Sequence, residues 1–336
     1  MLTLLLVLQA AAPQRPAQLT RFLQQSIALD AGQLDAVERG EPVVKVLETR
    51  DRRDVALFGI ITTQATREQY NRAMREFPTS LHTPTRTQLG VFSNPAADSD
   101  VAAVTINSRD VSDMKNCRPG DCVAKLPATD MQRIHEQMNW SAPSAELQAQ
   151  LGAYARRRLV EYVTDYRTRG DSAMALYDDR GNLTVRSSEA FAAQLAESPY
   201  VYQTVPSLQT YLGSYPHGAL PAGAAEIIYW SEDVLPRLRP ILSVTHLVVY
   251  TPAELPGMTL AAAKQIYADH YFETAVDLTA VVDRNPGTYL VVLRRYRFDN
   301  LPGGILNIRG RAIGALRDQL TNDLRRQQQP GGGATK

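Results

Sequence analysis

The sequence predicts an α+β fold in which an antiparallel sheet carries a long C-terminal helix and is interrupted by a mostly helical insertion. Short runs rich in β-branched residues occur on both sides of a helical region at about residues 128–221. Residues 305–326 then repeat leucine and isoleucine at three- and four-residue steps, which is typical of an amphipathic helix. The 336 residues are enough for one large domain or two ordinary ones.

The first part of the chain alternates helix and strand patterns. A helical pattern covers residues 17–37. A second helix is predicted at residues 66–77, because Thr66 and Gln69 have the spacing of a capping box. The β-branched content predicts four strands, at residues 43–48, 55–62, 89–92 and 101–106.

Strands return after the helical insertion, whose longest helix is predicted at residues 144–166. They are predicted at residues 226–230, at 244–250, within a long run at 263–282, and at 288–297. Asn285-Pro286-Gly287 has the chemistry of a hairpin turn between the last two. We expect the final helix to pack its apolar stripe on the sheet. Binding to an anionic lipid surface is less favoured, because Asp318 and Asp323 reduce the positive charge of the arginine-rich face of this helix.

Charge and cysteine content exclude several classes of protein. The 36 lysines and arginines nearly balance the 35 acidic residues, which argues against a general nucleic-acid binder. Two cysteines are too few for a disulfide-rich scaffold, and cannot alone complete a four-ligand zinc site. The 44% hydrophobic content is high enough to build a core.

The first twelve residues, MLTLLLVLQAAA at 1–12, have the apolar run and small residues of a secretory signal peptide. The run is too short to span a bilayer, and no later stretch reaches about 18 consecutive apolar residues, so no transmembrane segment is expected. The alternative for this segment is an N-terminal core helix. Export is favoured, which would place the protein in the periplasm or cell envelope.

At the other end of the chain, residues 327–336 are predicted to form a disordered tail.

Cys117 and Cys122 flank a Pro119-Gly120 pair, which favours a type II turn that brings the two thiols together. In an exported protein this pattern predicts a disulfide that staples a local loop. A redox pair is normally Cys-x-x-Cys, and a metal site would need further ligands. Both alternatives stay open beside the favoured structural disulfide.

The order of elements resembles that of the helix-grip fold. It consists of a strand, a helix soon after it, a series of antiparallel strands and a long final helix. Residues 55–74 are similar to the strand-then-helix opening of START-like (SRPBCC) domains, and residues 289–304 followed by the final helix are similar to their ending. The runs at 117–127 and 268–272 resemble parts of uncharacterised exported bacterial proteins.

This resemblance implies one START-like domain at residues 17–326, with the helical insertion at about 128–221. It implies that the final helix closes over a curved sheet and leaves an apolar cavity. START-like domains typically bind lipids, sterols or polyketide-like molecules in such a cavity, and a few catalyse reactions on them.

No nucleophile elbow, phosphate loop, dinucleotide fingerprint or His-Glu-x-x-His motif occurs, and we expect neither a cofactor nor a metal. Polar residues concentrate on the late strands: Asp269, His270, Tyr271, Glu273, Asp277, Arg294, Arg295 and Arg297. If residues 267–277 form one strand, Asp269, Tyr271 and Glu273 share one face, and His270 and Phe272 share the other.

Two interpretations of this cluster stay open. The charges could form cross-strand ion pairs on a solvated face. Alternatively, His270 with Arg295 or Arg297 lies in the cavity and orients the polar head of a ligand. The candidate ligand-binding residues are His270, Phe272, Arg295 and Arg297. His246, in a predicted strand, is interpreted as a hydrogen-bonded sheet residue.

The favoured function is binding of a lipid or another hydrophobic small molecule by a non-catalytic exported protein. The alternative is an exported enzyme, hydrolase or cyclase-like, that uses His270 and a nearby acid. A purely structural envelope role and a peripheral contact with the envelope also stay open. No nucleic-acid partner is expected.

Overall fold

Eight strands form one open antiparallel sheet in the computed structural model, which describes residues 15–198, 205–235, 238–299 and 308–328. In chain order the described strands are β1 (Val43–Leu47), β2 (Asp54–Thr63), β3 (Arg86–Val91), β4 (Leu176–Tyr177), β5 (Val185–Arg186), β6 (Ala225–Asp233), β7 (Ile241–Tyr250), β8 (Met258–Ala268), β9 (Phe272–Asp283) and β10 (Thr288–Phe298). The order across the sheet is β1-β2-β10-β9-β8-β7-β6-β3, and β4 pairs separately with β5. The α+β class with a large antiparallel sheet is therefore confirmed.

The described α-helices surround this sheet and fall into several groups along the chain. They are α1 (Ala17–Arg21), α2 (Ala31–Glu38), α3 (Arg67–Arg75), α4 (Ser108–Met114), α5 (Ala128–Gln137), α6 (Ser144–Arg169), α7 (Ser187–Ala196), α8 (Pro206–Ser214) and α9 (Ile308–Gln328). Thr66 caps α3 through the predicted capping box with Gln69. The sequence between 128 and 221 is mostly helical, as predicted, although α4 already lies ahead of it.

The sheet has one face covered by α9, which we call the α9 face. Leu320 and Leu324 of α9 are buried there with Leu57, Leu290 and Val292. Gly59 of β2 allows the helix to approach closely, because an added Cβ would lie 2.9 Å from Leu324 Cδ1 and 3.1 Å from Leu320 Cδ2. The expected packing of the C-terminal helix on the sheet is confirmed.

The opposite face, which we call the α6 face, is covered by helices from residues 128–221 and by the N-terminal helices. Leu159, Val163 and Tyr166 of α6 form a core with strand residues such as Val244 and Val248. Near β2 and β10, the N-terminal segment covers this face of the sheet instead of α6. Its buried apolar side chains pack against the strands of this part of the sheet: Leu19, Leu23, Ile27, Leu29 and Val37. Side chains alternate between the two faces along each strand, so both faces of the sheet are apolar.

Two strand predictions are wrong. Residues 101–106 are not a strand: a 3₁₀ turn ends at Val101, and Val101 and Val104 are buried in the core as irregular backbone. Their β-branched side chains reflect burial, and Trp230 fixes this loop by donating a hydrogen bond from Nε1 to the Asp100 carbonyl at 2.8 Å.

The predicted run at 263–282 is two strands, β8 and β9, joined by a tight turn. Tyr271 adopts a positive φ of 63° in this turn, and the Phe272 amide donates to the His270 carbonyl at 2.7 Å. The turn lacks the glycine or proline that usually marks one, which is why the sequence pattern continues through it. Asp269, Tyr271 and Glu273 therefore do not share the face of one strand.

The chain ends fall partly outside the described residues, which include neither the predicted signal peptide at 1–12 nor residues 329–336. Gln327 and Gln328, the first two residues of the predicted tail, are the last two residues of α9. Gln328 Nε2 donates to the Gly40 carbonyl at 2.6 Å, so the last turn of α9 is tied to the segment after α2. None of the helices in the described ranges is long and apolar enough to cross a membrane.

The predicted disulfide between Cys117 and Cys122 is present, with the two Cα atoms 4.4 Å apart. Gly120 has a φ of 84°, as the predicted turn requires. The stapled loop pairs with the chain between β4 and β5: the Gly120 amide donates to the Asp178 carbonyl at 2.7 Å and the Cys122 amide to the Asp179 carbonyl at 3.0 Å. The disulfide-closed loop is thus hydrogen-bonded to the loop between β4 and β5.

Reducing this disulfide, or replacing both cysteines with serine, should lower the free energy of unfolding by about 2 kcal/mol through the entropy of the opened loop. Urea unfolding of the oxidised, reduced and double-serine proteins measures this. Equal midpoints for the three forms would contradict the prediction. The reduced protein should retain its far-UV circular dichroism, because most of the core lies away from this loop.

Candidate functional site

An apolar cavity of about 400 Å³ lies on the α6 face of the sheet. Its sheet wall is formed by side chains from three adjacent strands, Leu260, Leu278, Ala280, Val282, Val291 and Leu293. Leu19 and Phe22 contribute from the N-terminal segment, and Val205 and Leu208 from the start of α8. The connection from β7 to β8 contributes Glu254, Leu255, Pro256 and Gly257, and the first residue of β8, Met258, also lines the cavity. The cavity thus joins parts of the chain that are distant in sequence.

The cavity follows from the alternation of side chains and from one small residue. Ala280 lies between Leu278 and Val282 on the same face of β9, and it pairs with Leu260 on one side and Val291 on the other. A methyl group at the centre of this row of larger side chains leaves space above the sheet. The helices on this face bridge the space without filling it.

The cavity lies on the face opposite to the one that the START-like resemblance implies. Val291 lines the cavity, whereas its neighbours Leu290 and Val292 pack with Leu320 and Leu324 of α9. Neighbouring residues of a strand point to opposite faces, so α9 and this cavity are separated by the sheet. The N-terminal segment and α8 cover the cavity instead.

The polar groups of the lining are few. Gln18, Glu254 and Asp283 are its residues with polar side chains in the described chain. Glu254 Oε1 accepts a hydrogen bond from Ser207 Oγ at 2.6 Å, and this bond lowers the pKa of the Glu254 carboxyl. Asp283 forms an ion pair with Arg67, whose Nε lies 3.0 Å from Asp283 Oδ1. The site can therefore hold an apolar body and contact a polar head at its edge.

No protein-family model matches this chain, and comparison with curated proteins and with solved structures likewise gives no match.

His270 does not line the cavity and lies in the turn between β8 and β9. Its Nδ1 is 2.9 Å from Asp269 Oδ1, its Nε2 is 3.6 Å from Asp110 Oδ1, and the residue is 3% exposed. Burial opposes protonation of the ring, but attraction to Asp269 and Asp110 outweighs it and raises the pKa of His270. The structure thus brings His270 beside two acids, in a closed environment.

The other three predicted binding residues also lie outside the cavity lining. Phe272 packs with Phe298, the ring centroids being 4.8 Å apart, in the core of the α9 face. Arg295 donates to the Glu197 carbonyl at 2.9 Å. Arg297 binds the carboxylate of Asp54 through Nε at 2.8 Å and Nη2 at 2.9 Å.

The structure therefore does not bring these four residues together. Arg295 and Arg297 share one strand face, whereas Phe272 points to the other. Arg294 pairs with Asp277 across the hairpin at 2.8 Å, which is the cross-strand ion pair of the alternative interpretation. That His270, Phe272, Arg295 or Arg297 contacts a ligand stays a prediction.

A second polar cluster, on the α6 face, was missed by sequence reasoning. Lys264 is 0% exposed, forms an ion pair with Asp171, and its Nζ lies 4.0 Å from the centroid of the Phe191 ring. Burial lowers the pKa of Lys264. The alternation of side chains along β8 could have indicated this buried lysine. Lys264 lies on the same face of β8 as Leu260 and Ala262, so a charged side chain stands in an otherwise apolar row.

His246 lies beside this ion pair, opposite Lys264 in the sheet. Its Nε2 is 3.0 Å from Glu226 Oε2 and its Nδ1 is 3.1 Å from Tyr166 Oη. Burial lowers the pKa of His246, although Glu226 opposes this shift. Both ring nitrogens have partners, which agrees with the interpretation of His246 as a hydrogen-bonded sheet residue.

Over the described residues, no group of three or more His, Cys, Asp or Glu side chains is arranged to hold a metal ion.

Proposed function

We propose that this protein is an exported, START-like protein that binds a lipid or another hydrophobic small molecule in the apolar cavity. The cavity itself is the observation that carries the proposal. Its volume of about 400 Å³ falls within the range of about 300–1,000 Å³ that is typical of small-molecule sites. Such sites are largely apolar with a few polar groups, and the lining of this cavity has that character.

The START-like part of the proposal is supported by the architecture and modified by the position of the cavity. A large antiparallel sheet carries a C-terminal helix, as the resemblance implies. The ligand, however, would be enclosed between the sheet, the N-terminal segment and α8. Leu19, Phe22 and Leu208 would then contact the ligand in place of residues from α9.

Export is supported by two observations. A disulfide joins Cys117 and Cys122, and disulfides persist mainly in oxidising compartments. The sequence of residues 1–12 has the pattern of a signal peptide. The protein would then meet its ligand in the periplasm or at the cell envelope, where a peripheral contact would deliver apolar molecules to the cavity.

The enzymatic alternative has one observation in its favour, the proximity of His270 to Asp269. The same residues are buried away from the cavity, so a substrate held there would not reach the imidazole ring. A substrate screen that compares His270→Ala with the parent protein tests this alternative. Loss of activity in the folded variant would favour it over simple binding.

Two measurements on the purified protein test the proposed function: identification of any co-purified ligand, and binding of an apolar probe. Organic extraction of the protein followed by mass spectrometry should find an apolar molecule at near-stoichiometric amounts. After delipidation, the neutral fluorescent probe N-phenyl-1-naphthylamine should bind with saturation at one site. A protein that yields no extractable ligand and does not bind the probe would overturn the proposal.

A further inference from the structure

The charged side chains that line the cavity are both acidic. Glu254 and Asp283 are the charged members of the described lining, and neither lysine nor arginine occurs in it. Asp283 is exposed and sits at the end of β9, while Glu254 is exposed in the connection before β8. Both carboxylates are therefore at the mouth, and the apolar wall lies beneath them.

The two carboxylates differ in how they are compensated. Asp283 is paired with Arg67, so much of its charge is already balanced. Glu254 instead accepts from the hydroxyl and the amide of Ser207, at 2.6 and 3.4 Å, and no lysine or arginine of the described chain is among the groups that shift its pKa. Hydrogen bonds to a carboxylate favour its ionised form, so Glu254 presents an uncompensated negative charge at the mouth.

Two stretches outside the described residues adjoin the cavity lining in sequence. Residues 1–14 precede the lining residue Pro16, and residues 199–204 precede the lining residue Val205. Neither stretch contains an Asp, Glu, Lys or Arg. Among the described lining residues and their ion-pair partners, the charged side chains are Glu254, Asp283 and Arg67.

We propose that the cavity selects a single-chain amphiphile with a cationic head, an amine or a quaternary ammonium, and discriminates against chains that end in a carboxylate. This inference rests on the proposed function, because it concerns the ligand of the same cavity. An apolar chain on Leu278 and Val291 places its head at the mouth, where Glu254 attracts a cation and repels an anion. The effect is a few-fold in affinity, since the mouth is exposed to solvent.

Competition against N-phenyl-1-naphthylamine tests this selectivity with three twelve-carbon compounds below their micelle concentrations. Dodecyltrimethylammonium should bind about three-fold more tightly than dodecanol, and dodecanoate about three-fold more weakly, at low salt. Glu254→Gln should bring the ratio of ammonium to dodecanoate affinities towards one. Glu189→Gln, which removes another exposed acid, on α7 and outside the cavity lining, should leave this ratio unchanged.

The outcomes separate this inference from the proposed function. If none of the three compounds and no probe binds, the proposed function fails. If dodecanol and the probe bind, but dodecanoate binds as tightly as the ammonium compound, the cavity is a binding site and the cationic preference is overturned. A preference that survives Glu254→Gln would also overturn the assignment to this carboxylate.

Discussion

Replacing Ala280 with phenylalanine is expected to weaken binding of a neutral apolar probe by at least about tenfold, which corresponds to about 1.4 kcal/mol. Ala280 lines the cavity at the centre of its sheet wall. A phenylalanine brings about 150–250 Å² of surface, so its ring would occupy space that the probe needs. Titration of the delipidated variant with N-phenyl-1-naphthylamine measures the loss.

Two further variants make this result specific to the cavity. Thr279→Phe adds the same ring at the next residue of β9, whose side chain points to the opposite face, and should retain the affinity of the parent protein. Ala280→Val fills less space and should give an intermediate affinity. Unfolding curves identify any variant that fails to fold. Unchanged binding in a folded Ala280→Phe protein would show that the probe binds elsewhere.

Replacing Asp171 with alanine should lower the free energy of unfolding by about 3 kcal/mol at neutral pH, because Lys264 would have to give up its proton or keep a buried charge without its partner. Lys264 is 0% exposed, whereas the Asp171 side chain is 30% exposed, so the expected loss lies at the lower end for a buried ion pair. In the variant, Lys264 should lose its proton in the folded state and regain it on unfolding. Since the unfolded state then binds more protons, the stability of the variant should rise with pH.

Urea unfolding at pH 6 and pH 9 measures both the loss and its pH dependence. Asp165→Ala is the matched control, because it breaks a solvent-exposed pair with Arg169 and should cost less than about 0.5 kcal/mol. Adding Lys264→Met to Asp171→Ala should recover much of the loss, since an apolar chain then fills the same space beside Phe191. A loss in Asp171→Ala no greater than in Asp165→Ala would contradict the argument.

Much of the fold could be predicted because its signals are local. Thr66 and Gln69 specify the start of α3, and Pro119-Gly120 specifies the turn that the disulfide closes. The apolar stripe of the final helix identifies Leu320 and Leu324 as core residues. Each of these features depends on spacing within a few residues, which a single sequence displays directly.

The cavity and the faces of the late strands could not be predicted in the same way. The turn at Tyr271 lacks glycine and proline, so the pattern placed His270 and Phe272 on one continuous strand. The cavity depends on Phe22, Leu208 and Ala280, which are brought together only by tertiary structure. Nothing in the local sequence of any one of them indicates that the other two are near.

The order of strands in the sheet has a consequence for how the chain acquires its structure. β10 lies between β2 and β9, and Asp54 and Arg297, which join β2 to β10, are 243 residues apart in sequence. During synthesis, the β1–β2 hairpin therefore has no neighbour in the sheet until almost the whole chain has been made, and an isolated hairpin is marginally stable. The distance between these partners favours slow folding and a long exposure of apolar strands. For an exported chain, such a delay would keep the polypeptide in a translocation-competent state until it has left the ribosome.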